Sequence, residues 1–158
     1  MSCDVAAAAF LMFAAASGPS GGAVLQPAVA EAPTTVASMP LFVDIVGRAG
    51  KLRTEIEAVR KGLAGASATT ALPGGDAFTA DVGQLSALDQ QGSDWLKANH
   101  PGDDLKCILH GISQDLPAKL AAVKAATTAH DEDMALRDMG FLLRDNVEVI
   151  TAPPQPAA

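Results

Sequence analysis

From residue 39 onward, apolar side chains recur every three or four positions, and clusters of Gly, Pro and Asn divide the pattern into four blocks. The strictest block is the seam Ile45, Ala49, Leu52, Ile56, Val59 and Leu63, spaced alternately four and three residues apart. That is the period of a helix that buries one face against other helices. Ser38 is placed to cap this helix, and Pro40 falls near its first turn, where a missing N–H is harmless. Gly62 or Gly65 ends it. Gly47 and Gly50 weaken it unless another backbone approaches closely there. The remaining positions Arg48, Lys51, Arg53, Glu55, Glu57, Arg60 and Lys61 read as a solvated face.

The segment 65–75 (GASATTALPGG) has the composition of a loop and leads to Asp76, a good helix cap. A second helix follows, with Phe78, Val82, Leu85, Leu88 and Trp95 on its apolar side and a gap at Gly92. Asn99-His100-Pro101-Gly102 stops it, because Pro101 disfavours helix at His100. Asp103 or Asp104 opens a third helix through Leu105, Ile108, Leu109, Ile112 and Leu116. Pro117 either kinks that helix or, with Asp115 as cap, starts a new one. The stripe continues through Leu120 and Val123, which favours one kinked helix. After a turn at Thr127 to His130, the acids Asp131, Glu132 and Asp133 suit a helix N-terminus. The fourth helix carries Leu136, Met139, Leu143, Val147 and Ile150, and Pro153-Pro154 end it.

The fold expected is therefore all-α: a four-helix antiparallel bundle, up-down-up-down, with short turns joining neighbours. Leu52, Ile56, Val59, Leu85, Ile112, Leu116, Leu143 and most of the Trp95 ring are its expected core. Composition agrees with helix over sheet. Hydrophobic residues make up 49% of the chain, Ala-rich and only 4% aromatic, whereas sheets draw on aromatic and β-branched side chains. A length of 158 residues suits one domain. The formal charge of −7 argues against nucleic acid, whose phosphates would be repelled, and disfavours anionic lipid.

Residues 1–30 differ from the rest. Val5 to Ala16 is an uncharged apolar run, too short to span a bilayer, which needs about 20 apolar residues. Ala28-Val29-Ala30 and Ala30-Glu31-Ala32 both fit the small-x-small pattern of a signal-peptidase site. The segment reads as a secretory leader, although Met1-Ser2-Cys3-Asp4 lacks the usual basic residue. The organisation expected is leader 1–30, linker 31–38, bundle 39–151 and loose tail 152–158. Export to the periplasm or beyond follows, or a cytoplasmic location if the leader is not cleaved. Without the leader, Cys107 is the one cysteine left.

One polar cluster invites chemistry. At about 100° per residue, Asp103, Cys107, His110 and Gln114 fall together, opposite the apolar stripe of the third helix. Carboxylate, thiolate and imidazole are ligands for Zn²⁺ or another transition metal, and His100 is placed to supply a fourth. The competing reading is a polar surface face with an incidental cysteine. His130-Asp131 resembles the dipeptide of the HD-domain phosphohydrolases, helical enzymes that bind metal through a His…His-Asp…Asp set. The resemblance implies His100 or His110 as first ligand and Asp138 or Asp145 as last. It covers that dipeptide alone, in a stretch that otherwise reads as a turn and a helix cap. CxxC, HExxH, CxxCH and GxxxxGK[ST] are all absent from the chain. The sequence thus favours an exported, non-enzymatic interaction module without cofactor, acting on a protein partner or on itself. The alternative is a metal-binding or metal-dependent protein using Cys107 and His110 with His100 or Asp103.

Overall fold

The computed structural model describes residues 36–72, 74–102 and 104–152. Four helices account for most of them: α1 (Pro40–Leu63), α2 (Asp76–Asn99), α3 (Leu105–Ala125) and α4 (Ala129–Thr151). No strand occurs among the described residues. Each helix packs on its neighbours in sequence, and α1 packs on α4 to close the ring. The diagonal pairs α1/α3 and α2/α4 make no close backbone approach.

Cross-helix pairs fix the directions. Between α1 and α2, Arg48 meets Gln84 and Lys51 meets Asp81. Between α2 and α3, Ser86 meets Ser113 and Ser93 meets Lys106. Between α1 and α4, Arg60 meets Asp133, and Ile56 lies against Gly140. In every case residue numbers rise along one helix as they fall along the other. The bundle is antiparallel, up-down-up-down.

Local chemistry sets the helix ends. Pro40 occupies the first turn of α1, with Met39 rather than Ser38 at the N-cap. Gly65, at φ +79°, follows the C-terminus of α1 in the left-handed region that glycine tolerates. Thr128 caps α4, accepting the Asp131 N–H at 3.1 Å, so α4 starts at Ala129 and takes in His130. The end of the expected linker is ordered onto the bundle: Val36–Ser38 form a 3-10 turn, and Val36 is buried. Residues 31–35, the leader and the tail from 153 lie outside the described residues.

Helix α3 runs unbroken through Pro117. Proline has no N–H, so the carbonyl of Ser113, four residues earlier, loses its helical donor. The Ser86 hydroxyl on α2 takes that place, donating to Ser113 O at 2.7 Å. One helix thus supplies the hydrogen bond that the proline removes from the next.

The α1 seam is buried as the pattern indicates, extended by Phe42. On α2 and α4 the buried stripe differs from the expected one. Asp89 and Leu96 are buried, while Leu88 and Trp95 are only partly so; Asn146 is buried and Val147 partly so. Trp95 sits at the edge of the core, edge-to-face with the fully buried Phe42 at 5.8 Å and partly buried against the cluster, in keeping with a ring that is mostly covered. Gly92 is a point of close packing. A Cβ there would lie 3.1 Å from Leu109 Cδ1 and 3.3 Å from Ile45 Cδ1. Gly47 and Gly50 face open space, so no close backbone approach explains them.

Candidate functional site

The residues picked out around Cys107 do not form a bare outward row. His110 is half-buried, because α3 packs against both α2 and α4 and its covered arc reaches Lys106 and Ser113. A directional chain of hydrogen bonds crosses the α2/α3 interface there. Gln90 donates from Nε2 to Asp94 at 3.0 Å, and its Oε1 accepts from His110 Nδ1 at 2.9 Å. Gln114 Nε2 lies 3.1 Å from His110 Nε2. Both ring nitrogens are therefore engaged. The amide of Gln90, and after it Lys97, holds the Asp94 carboxyl below its usual range.

Cys107 is half-buried. His100 follows the last turn of α2 and lies against Trp95, ring centroids 5.3 Å apart. Asp103 lies outside the described residues. His130 and Asp131 are exposed in the first turn of α4, where Asp131 accepts from the Thr128 hydroxyl. Among the described residues, no three His, Cys, Asp or Glu side chains come together as a metal site.

A second polar feature lies in the core itself. Asp89 on α2 and Asn146 on α4 are both fully buried, and they meet across the diagonal of the bundle. Asn146 Nδ2 donates to both carboxylate oxygens, at 3.1 and 2.9 Å. Asn146 Oδ1 is buried without a partner. Burial pushes the Asp89 carboxyl up from 3.8 to about 7, and the Asn146 hydrogen bond offsets only part of that.

The accessible feature with the most distinctive chemistry is the groove between α1 and α4. Four of the chain's five arginines line it: Arg53 and Arg60 from α1, Arg137 and Arg144 from α4. Glu57 is the one carboxylate in its lining. The four side chains are between 33% and 44% exposed, each partly covered by its neighbours. Gly140 keeps the floor low, and Phe141, 48% exposed, stands beside it under the Arg144 guanidinium at 5.2 Å. Toward the C-terminus of α1 the groove opens into a cleft of about 690 Å³ that holds Lys61, His130 and the Arg60–Asp133 pair. Glu132 secures the loop beside it, accepting the Thr70 N–H at 2.7 Å.

Three of these arginines already hold carboxylates: Arg53 with Glu57 at 2.9 Å, Arg60 with Asp133 at 2.8 Å and Arg144 with Asp145 at 2.9 Å. Arg137 differs. Its closest carboxylate, Asp138, is 3.7 Å from Nη2, beyond a hydrogen bond, and its Nε is buried without a partner. Sequence reasoning places Arg53 and Arg60 on an undifferentiated solvated face and passes over Arg137 and Arg144. The signal that marks them is their spacing, seven residues in each helix.

No known protein family matches this chain, and no curated protein or solved structure is detectably similar to it.

Proposed function

We propose that this protein is an exported, non-enzymatic interaction module whose partner docks on the groove between α1 and α4. The supporting observation is the concentration of four of five arginines in one groove of a chain with net charge −7. Random placement of surface charge on an acidic protein does not favour such a cluster. Guanidinium groups recognise planar anions through paired hydrogen bonds, and arginine is enriched where interfaces are energetically decisive. The leader-like segment 1–30 supports export, and the absence of HExxH and phosphate-loop motifs supports binding over catalysis. A partner of different sequence fits better than self-association through this groove. A two-fold dimer apposes the same patch on both copies, which would set arginines against arginines.

Site-specific photocrosslinking in the native host tests the proposal. A benzophenone amino acid replacing Phe141 should give one discrete adduct, lost when Arg137→Glu is added. The same probe replacing Ile108, 38% exposed on α3, should give none. No adduct from position 141, or the same adducts from both positions, would contradict it.

A further inference from the structure

The geometry points to the occupant of this groove: an acidic helical segment of a partner protein, presenting two carboxylates seven residues apart on one face. The inference rests on the groove being the docking surface and adds what docks there. Arg53 and Arg60 are seven residues apart on α1, as are Arg137 and Arg144 on α4. Seven residues of helix advance about 10.5 Å, two turns, and return to nearly the same face. The antiparallel register set by Arg60 with Asp133 and by Ile56 with Gly140 puts Arg60 and Arg137 toward one end, Arg53 and Arg144 toward the other. The four guanidiniums make two rungs about two turns apart, with Gly140 between them.

A small anion can engage one rung and no more, and the notch at Gly140 is only about 90 Å³. A helix laid along the groove, as a third neighbour to α1 and α4, spans both rungs with carboxylates at i and i+7. Its intervening apolar residue then falls over Gly140 and the exposed face of Phe141. Each incoming carboxylate shares a rung with the acids its arginines already hold, Glu57, Asp133, Asp145 and Glu148, and accepts from the guanidinium N–H groups those leave open. Arg137, with no carboxylate within hydrogen-bonding range, is the arginine with most capacity for the incoming acid. A long polyanion fits less well, because the acidic remainder of the chain repels it once it extends past the groove.

Labelled helical peptides titrated against the full chain at low salt, read by fluorescence anisotropy, decide the matter. One peptide carries Glu at i and i+7 with Leu between them; its isomer carries the same residues with Glu at i and i+5, on different faces. The seven-spaced peptide should bind at least tenfold tighter than its isomer, and Arg137→Gln or Arg53→Gln should remove that preference. Equal affinities, or no binding by either peptide, would overturn the inference. So would tighter binding of an oligonucleotide of equal charge through the same arginines, which would make the groove a phosphate site. The isomer comparison uses the unaltered protein, so it does not depend on how any variant folds. Failure here together with a discrete adduct at position 141 would leave the docking surface standing and remove only the acidic helix.

Discussion

Asn146 on α4 donates its side-chain amide to both carboxylate oxygens of Asp89 on α2, a hydrogen-bonded contact across the diagonal of a bundle whose diagonal helices otherwise stay apart. The pair stands at a seam position in each helix, between Leu85 and Leu96 on one side and Leu143 and Ile150 on the other. A buried polar pair of this kind contributes less to stability than an apolar pair of equal volume can, but it matches one arrangement of helices and not others.

Its titration has a definite sign. The Asp89 carboxyl takes up its proton near 3.8 when unfolded and near 7 in the folded chain. Between those values only the folded chain holds the proton, so its contribution to stability is complete below the lower value. It is lost as pH rises to the upper one. The displacement corresponds to on the order of 4 kcal/mol, a substantial part of a small domain's stability. Asp89→Asn cannot titrate, and its amide can donate to the unpartnered Asn146 Oδ1. Urea unfolding from pH 4 to pH 8 should therefore show the variant gaining on the parent steadily up to about neutrality. A constant difference across that range would show that Asp89 is not the titrating group.

The Ser86 hydroxyl and Pro117 make a pair at a distance, one replacing the donor that the other lacks. Ser86→Ala should cost about 1–3 kcal/mol, the range for leaving a buried carbonyl unsatisfied. In a Pro117→Ala background the restored N–H at position 117 supplies Ser113 O, and the same Ser86→Ala change should cost much less. A thermal or chemical denaturation cycle over the four proteins measures the coupling. Additive losses would separate the two residues.

Gly92 and Gly47 should respond to alanine in opposite directions. Leu109 and Ile45, whose methyl groups crowd the missing Cβ of Gly92, are themselves fully buried and have little room to move. Gly92→Ala should destabilise by about 1–3 kcal/mol, as overpacking does. Gly47→Ala, in open space on α1, should stabilise by up to about 1 kcal/mol through helix propensity alone. Melting temperatures of the two variants against the parent test both signs at once.

How much of this could be read from the sequence differs between elements. The α1 seam was legible because every member of it is apolar and every one is buried. The stripes of α2 and α4 were legible except where a polar residue occupies a seam position. Periodicity counts apolar side chains, so Asp89 and Asn146 dropped out, and Leu88, Trp95 and Val147 were drawn into their places. Gly92 appeared as a gap because close packing against a missing side chain leaves no apolar mark of its own. The row at Cys107 and His110 was found by wheel geometry, but a single-helix wheel does not include α2, whose Gln90 meets His110. The arginine groove joins two helices more than seventy residues apart in sequence, as Arg60 and Asp133 are, and only tertiary structure brings them together.

The central claim, that this groove holds carboxylates of a partner helix through its arginines, is tested most directly by a charge exchange. Dissociation constants are measured for the parent and Arg137→Glu, each with the seven-spaced acidic peptide and with peptides in which one Glu is changed to Arg. Each single change should weaken binding at least tenfold, and one combination of Arg137→Glu with a reversed peptide should restore most of the loss. Losses that simply add in every combination would contradict the claim, because charges that do not meet cannot compensate one another.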